Sequence, residues 1–120
     1  MRLQTASSFV GRSGKPVTFT HEDSLMAWTS RTGIALLVAS DAYGWRVVRI
    51  VDLRGQEGAL DAAWAMMDAR RYGASAVFVR DEADADVRQA LIADLEAGLS
   101  PVLKSMCLRP TAAPVNLAAA

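Results

Sequence analysis

The chain has 120 residues, of which 52% are apolar, with thirteen basic residues balanced by thirteen acidic ones. That length and composition predict one folded domain with a buried core and exclude intrinsic disorder, while the zero net charge leaves no block for a polyanionic or polycationic partner. No apolar run approaches the ~20 residues of a membrane span, the N-terminus lacks the apolar region of a signal peptide, and the lone Cys107 excludes an internal disulfide, so a soluble cytoplasmic protein is expected.

In chain order, Leu3 to Val10, the turn "GRSGKP" and "VTFT" predict a loose hairpin, punctuated by Gly11, Gly14 and Pro16. "THEDSLMAWTSRTG" predicts a first helix, capped by Thr20, with Leu25, Trp28 and Thr32 on one side and Gly33 as its stop. "IALLVAS", residues 34–40, has the continuous apolar character of a buried central strand. The turn "DAYG" joins it to an antiparallel partner, "WRVVRIVDL", residues 45–53. A second helix follows in "ALDAAWAMMDARRYG", then a strand at 76–80. A third helix follows in "RDEADADVRQALIADLEAG", with Val87, Leu91 and Leu95 inward, and "SPVLKSMCL" carries a last strand at 102–108.

Asp61, Gly73, Ser75 and Val77 recur at the same spacing as Asp86, Gly98, Ser100 and Val102, which suggests one helix–strand unit used twice. Strands 45–53, 76–80 and 102–108 are then expected to be mutually parallel, joined by right-handed crossovers. The expected fold is α/β, with α+β as the alternative: a mixed sheet extended by the N-terminal hairpin, with three helices packed on it. Residues 1–110 form this domain. Residues 111–120 are a small apolar tail given no function, in which Ala118 to Ala120 could be a cloning remnant.

Few of the residues that carry chemistry are arranged to do so. A phosphate loop of the Walker type would need Gly at Phe9 and a hydroxyl at Pro16, so "VGRSGKPVT" reads as a turn. Ser75 and Ser100 lie between helix and strand, the reverse of a nucleophile elbow. His21 is the sole histidine, expected in the first turn of a helix, and with Cys107 it would supply only two metal ligands; no metal and no cofactor are expected. Asp81, Asp84 and Asp86 could gather a cation, but one of Asp81 and Asp84 reads better as a helix cap, with Glu82 and Asp86 offsetting the dipole.

Arg49 interrupts the apolar row Trp45, Val47, Val51, Leu53. A bulge, an edge position or a partner carboxylate would explain it structurally, and an anionic ligand held with Arg46 and Asp81 would explain it functionally. Eleven of the thirteen basic residues are arginine, as a GC-rich bacterial genome would produce, so they are not read as nucleic-acid affinity. Trp28, Trp45 and Trp64 could stack on bases but fit a core better.

The resulting expectation is a non-catalytic interaction or regulatory module with a protein partner. The alternatives are a small ligand-binding domain or enzyme built on Arg49 and the carboxylates near Asp81, and a nucleic-acid-associated protein. Self-association is expected from the second helix. Leu60, Ala63, Trp64 and Met67 form the stripe that should face the sheet, and Ala59, Ala62 and Met66 lie beside it. Met66, Ala62, Ala59 and Trp64 are therefore the candidate interface of a homodimer, unless the hairpin or the tail lies over this helix.

Overall fold

The computed structural model describes residues 6–22 and 27–103. The strands are β1 (Ala6–Val10), β2 (Pro16–His21), β3 (Thr32–Asp41), β4 (Gly44–Arg54) and β5 (Ala76–Asp81), and the helices are α1 (Ala59–Arg70) and α2 (Ala85–Leu99). Two single 3-10 turns, Ala27–Ser30 and Gly55–Gly58, precede β3 and α1. The strands form one sheet in the order β1-β2-β5-β3-β4, with every neighbouring pair antiparallel.

This is a mixed α+β domain, and it departs from the expected topology in three ways. β4 and β5 do run in the same direction, but β3 lies between them, so they are not neighbours and the sheet has no parallel pair. Among the described residues there are two α-helices rather than three. The stretch read as a first helix is a 3-10 turn at 27–30, with 23–26 outside the described residues. Pro101 to Leu103 are not in a strand, and the remainder of the expected last strand lies outside the described residues.

β3 is the centre of the molecule. Every residue from Gly33 to Ala39 is buried, because α1 covers one face of the sheet and α2 the other. Ile34, Leu36 and Val38 join Phe9, Phe19 and Phe78 on the α2 face, a layer of large side chains closed by Ile92 and Leu95. Ala35 and Ala39 join Leu37, Val77 and Val79 on the α1 face, where the helix contributes Ala62, Ala65, Met66 and Ala69. The continuous apolar run of β3 is thus explained by burial on both faces, here within an antiparallel sheet. Gly33, expected to stop a helix, instead lies in β3, where a Cβ would fall 2.0 Å from the Arg80 carbonyl oxygen.

The "GRSGKP" turn is held by α2. The Ser13 amide and hydroxyl donate to the two carboxylate oxygens of Asp94, at 2.8 and 2.9 Å, and the Arg12 amide donates to the Asp94 carbonyl. The loop that superficially suits phosphate therefore holds a carboxylate of its own chain.

The sequence echo resolves into two different uses of glycine. Gly73 has φ +94°, a left-handed position just beyond α1. Gly98 lies inside α2, where a Cβ would meet the Gly11 carbonyl carbon at 2.4 Å and the Arg12 nitrogen at 2.5 Å. At Gly98, helix propensity alone favours alanine by about 1 kcal/mol. Close backbone contact opposes it, and overpacking costs about 1–3 kcal/mol. Gly98→Ala is expected to lower stability in urea denaturation; a gain would show that the hairpin does not press on α2.

Candidate functional site

The strand that carries Arg49 is bulged. Leu37 pairs with Arg49 and Val38 with Val47, leaving Val48 as the extra residue. The bulge shifts the alternation. Val47 and Ile50 face α2, while Val48, Val51 and Leu53 face α1. Arg49 therefore leaves the row of Trp45 and Val47 and reaches toward α1, where its Nη1 lies 3.7 Å from Asp68 Oδ2. β4 is also the last strand of the sheet. All three structural explanations for a charge in this row are present together.

Arg49 is 7% exposed, and its Nε has no hydrogen-bond partner among the described residues. Arg46 pairs with Ala39 and is exposed. Asp81 is not brought to either arginine. It pairs with Gly33, and Arg49 pairs with Leu37, four residues further along the same strand, or roughly 13 Å.

Asp81 accepts instead from Arg31 Nε and Nη2, at 3.1 and 2.6 Å, and Glu22 accepts from Arg31 Nη1. Burial alone would lower the Arg31 pKa. The hydrogen bonds and charges of Asp81 and Glu22 outweigh it and raise the value. Asp84 caps α2, accepting from the Asp86 and Val87 amides at 2.8 and 3.2 Å. His21, expected on a helix, ends β2 with its ring 5.2 Å from that of Phe78. Cys107 lies outside the described residues. Among the described residues, no three His, Cys, Asp or Glu side chains come together to hold a metal ion, and no helix is long and apolar enough to cross a membrane.

Arg88 is a buried charge that periodicity does not reveal. It donates to Asp52 Oδ1 at 2.6 Å and to the carbonyls of Glu82 and Ala83, fixing the β5–α2 loop to β4. The buried face of α2 is thus Arg88, Ile92 and Leu95; Val87, expected inward, is 40% exposed.

The phase of α1 is also reversed. Ala62 and Met66, read as the face left over for a partner, pack on the sheet with Ala65 and Ala69. Leu60, Trp64 and Met67, read as the inward stripe, are 69, 61 and 52% exposed. Ala59 and Ala63 are half-buried at one flank. Trp28 fills the α1-side core that Trp64 would otherwise have occupied. No family model, curated protein or solved structure matches this chain.

The most distinctive surface is therefore the outer face of α1. Leu60, Trp64 and Met67 follow at i, i+4 and i+7, one above another. Asp61 and Asp68 border the stripe on one side and Arg70 on the other. Asp61 accepts from Arg54 at 2.9 Å, and Asp68 faces Arg49.

The Arg49–Asp68 pair can be tested through its asymmetry. Replacing a buried cation by an apolar side chain of similar volume is often neutral, whereas removing its counter-charge strands it. Arg49→Met is expected to stay within about 1 kcal/mol of wild type. Asp68→Ala is expected to cost about 1–3 kcal/mol, although alanine is the better helix former and an acid near a helix C-terminus is unfavourable. The opposite order in chemical denaturation would mean that Asp68 does not neutralise Arg49.

Proposed function

We propose that this chain is a non-catalytic interaction module whose working surface is the outer face of α1. The observation that carries the reading is the inversion of that helix: four small or flexible side chains face the sheet, and Leu60, Trp64 and Met67 face water. Their exposures leave on the order of 400 Å² of apolar side chain in one stripe, comparable with the largest patch on a typical monomer. Tryptophan at the centre of such a patch, with charged residues around it, is the composition of an interface hot spot and its rim. The paired states of Asp81, Glu22 and Asp52 give these carboxylates structural work, which is a further reason to place function on the surface.

A second reading, an anion site at Arg49, has one observation in its favour, a buried Nε with no hydrogen-bond partner among the described residues. The two readings separate in one experiment. A chain carrying Leu60→Lys, Trp64→Glu and Met67→Lys together is expected to unfold in urea at sub-micromolar concentration within about 1 kcal/mol of wild type, as exposed positions do. Phosphate or sulfate is expected to leave the wild-type midpoint unchanged beyond its general salt effect. A loss of several kcal/mol in the triple variant would make the stripe part of the core. A saturable anion effect abolished by Arg49→Met would favour the second reading.

A further inference from the structure

We infer that the end of the domain formed by the β3–β4 turn and the C-terminus of α1 is a second surface, which binds a single strand of nucleic acid through Arg46, Arg70, Arg71, Tyr43 and Tyr72. It lies beyond the Leu60–Trp64–Met67 stripe and does not depend on that stripe having a partner.

The fold gathers these residues from two distant segments. Arg46 pairs with Ala39, which packs on the α1 side of the sheet, so Arg46 stands on that side too. A Cβ on Gly73 would lie 3.7 Å from the Ala39 Cβ, which puts the end of α1 over the same pair. The Ser75 amide donates to the Val38 carbonyl at 2.8 Å and fixes the α1–β5 connection to this end of β3. Arg70, Arg71 and Tyr72 therefore emerge beside Arg46 and beside the turn that carries Tyr43. All of these side chains are exposed.

Charge is the first argument. Arg31, Arg49, Arg54 and Arg88 each have a carboxylate partner. Arg46, Arg70 and Arg71 make no ion pair among the described residues. The acids nearest to them are engaged, Asp68 with Arg49 and Asp41 with the Tyr43 amide. The chain has no net charge, but its internal pairing leaves this end positive, as contact with a phosphate backbone requires. The negative end of the α1 dipole accounts for a cation at 70 or 71. It does not account for Arg46, which stands on a strand.

The tyrosines are the second. The β3–β4 turn is built without the Tyr43 side chain, because Asp41 Oδ1 accepts the Tyr43 amide at 2.8 Å and Gly44 takes the positive φ of +120°. Tyr43 is 99% exposed, so the fold makes no use of its ring. Tyr72 is half-exposed just beyond α1, and among the described residues neither ring packs on another aromatic ring. Free ring faces beside guanidinium groups are what unstacked bases and their phosphates engage. An acidic peptide would use the arginines and leave the rings idle, and a duplex keeps its base faces stacked. Trp45 lies on the other side of the sheet, against Phe78, and takes no part.

The test is fluorescence anisotropy of a short labelled oligothymidylate titrated with the full chain at low salt. Saturable binding at micromolar concentration is expected. With three phosphate contacts, the logarithm of the association constant should fall against the logarithm of salt concentration with a slope of about −2. Arg46→Ala with Arg71→Ala is expected to weaken binding at least roughly tenfold and to flatten the slope to about −0.7. Tyr43→Ala is expected to weaken it at least about fivefold, whereas Tyr43→Phe keeps it. Each substituted side chain is exposed, so all variants are expected to keep the wild-type circular dichroism spectrum. Arg12→Ala with Lys15→Ala removes the same charge from the β1–β2 turn, and an equal loss there would overturn the proposal by making the binding a general charge effect. Unchanged affinity in Tyr43→Ala, equal competition by polyglutamate, or no saturable binding up to high micromolar concentration would each overturn it as well.

Discussion

The structure depends on the burial of β3 on both faces. A strand from which every side chain between Gly33 and Ala39 is removed from water needs a cover on each side, and each cover is a single helix. The two covers differ. On the α2 side three phenylalanines and the branched residues Ile34, Leu36 and Val38 form a thick layer. On the α1 side Ala35 and Ala39 meet Ala62, Ala65 and Ala69, with Trp28 filling the wider part. A helix seated through alanines lies close to its sheet and leaves no room for an indole beneath it, so Trp64 and its neighbours are left outside. The apolar surface of α1 is a consequence of how the core is packed.

Buried charge serves the same arrangement. Arg88 reaches Asp52 and two loop carbonyls, and tethers α2 to β4 at the end where β5 leads into the helix. Arg49 lies on the opposite face of β4 and reaches α1 through Asp68. β4, an edge strand by hydrogen bonding, is thereby tied to both helices. Its bulge at Val48 also places the Val48 carbonyl to accept from the Leu103 amide at 2.7 Å. Asp94 does for the N-terminal hairpin what Arg88 does for the β5–α2 loop.

Local features of this fold were legible in the sequence. The N-terminal hairpin, the buried "IALLVAS" strand and its tight turn into β4 follow from apolar runs and glycine punctuation, and each has a local cause. The structural explanations offered for Arg49 were readable in the same way, since an arginine in an apolar row demands one. Strand order was not, because β5 pairs between β2 and β3 and no local signal reports a non-local insertion. Helix phase failed in α1, and at one position in α2, where Leu91 and Leu95 pack on the core as expected but Val87 does not; the reasons differ. α1 is apolar around most of its circumference, and size, which decides what fits against Ala35 and Ala39, is invisible to a hydrophobic periodicity. In α2 the inward position 88 is an arginine, which periodicity assigns to solvent, although its guanidinium has three acceptors inside. The candidate surface was consequently sought on the face of α1 that packs on the sheet.

The orientation of α1 is the claim on which this account turns, and two adjacent methionines report it. Hydroxyl-radical footprinting at sub-micromolar concentration, resolved to single residues by mass spectrometry, compares Met66 with Met67 and Trp28 with Trp64. Exposures of 4 and 52% for the methionines, and of 1 and 61% for the tryptophans, predict rapid oxidation of Met67 and Trp64 and protection of Met66 and Trp28. Equal rates at the two methionines, or faster oxidation of Met66, would contradict the packing of α1 on the sheet described above.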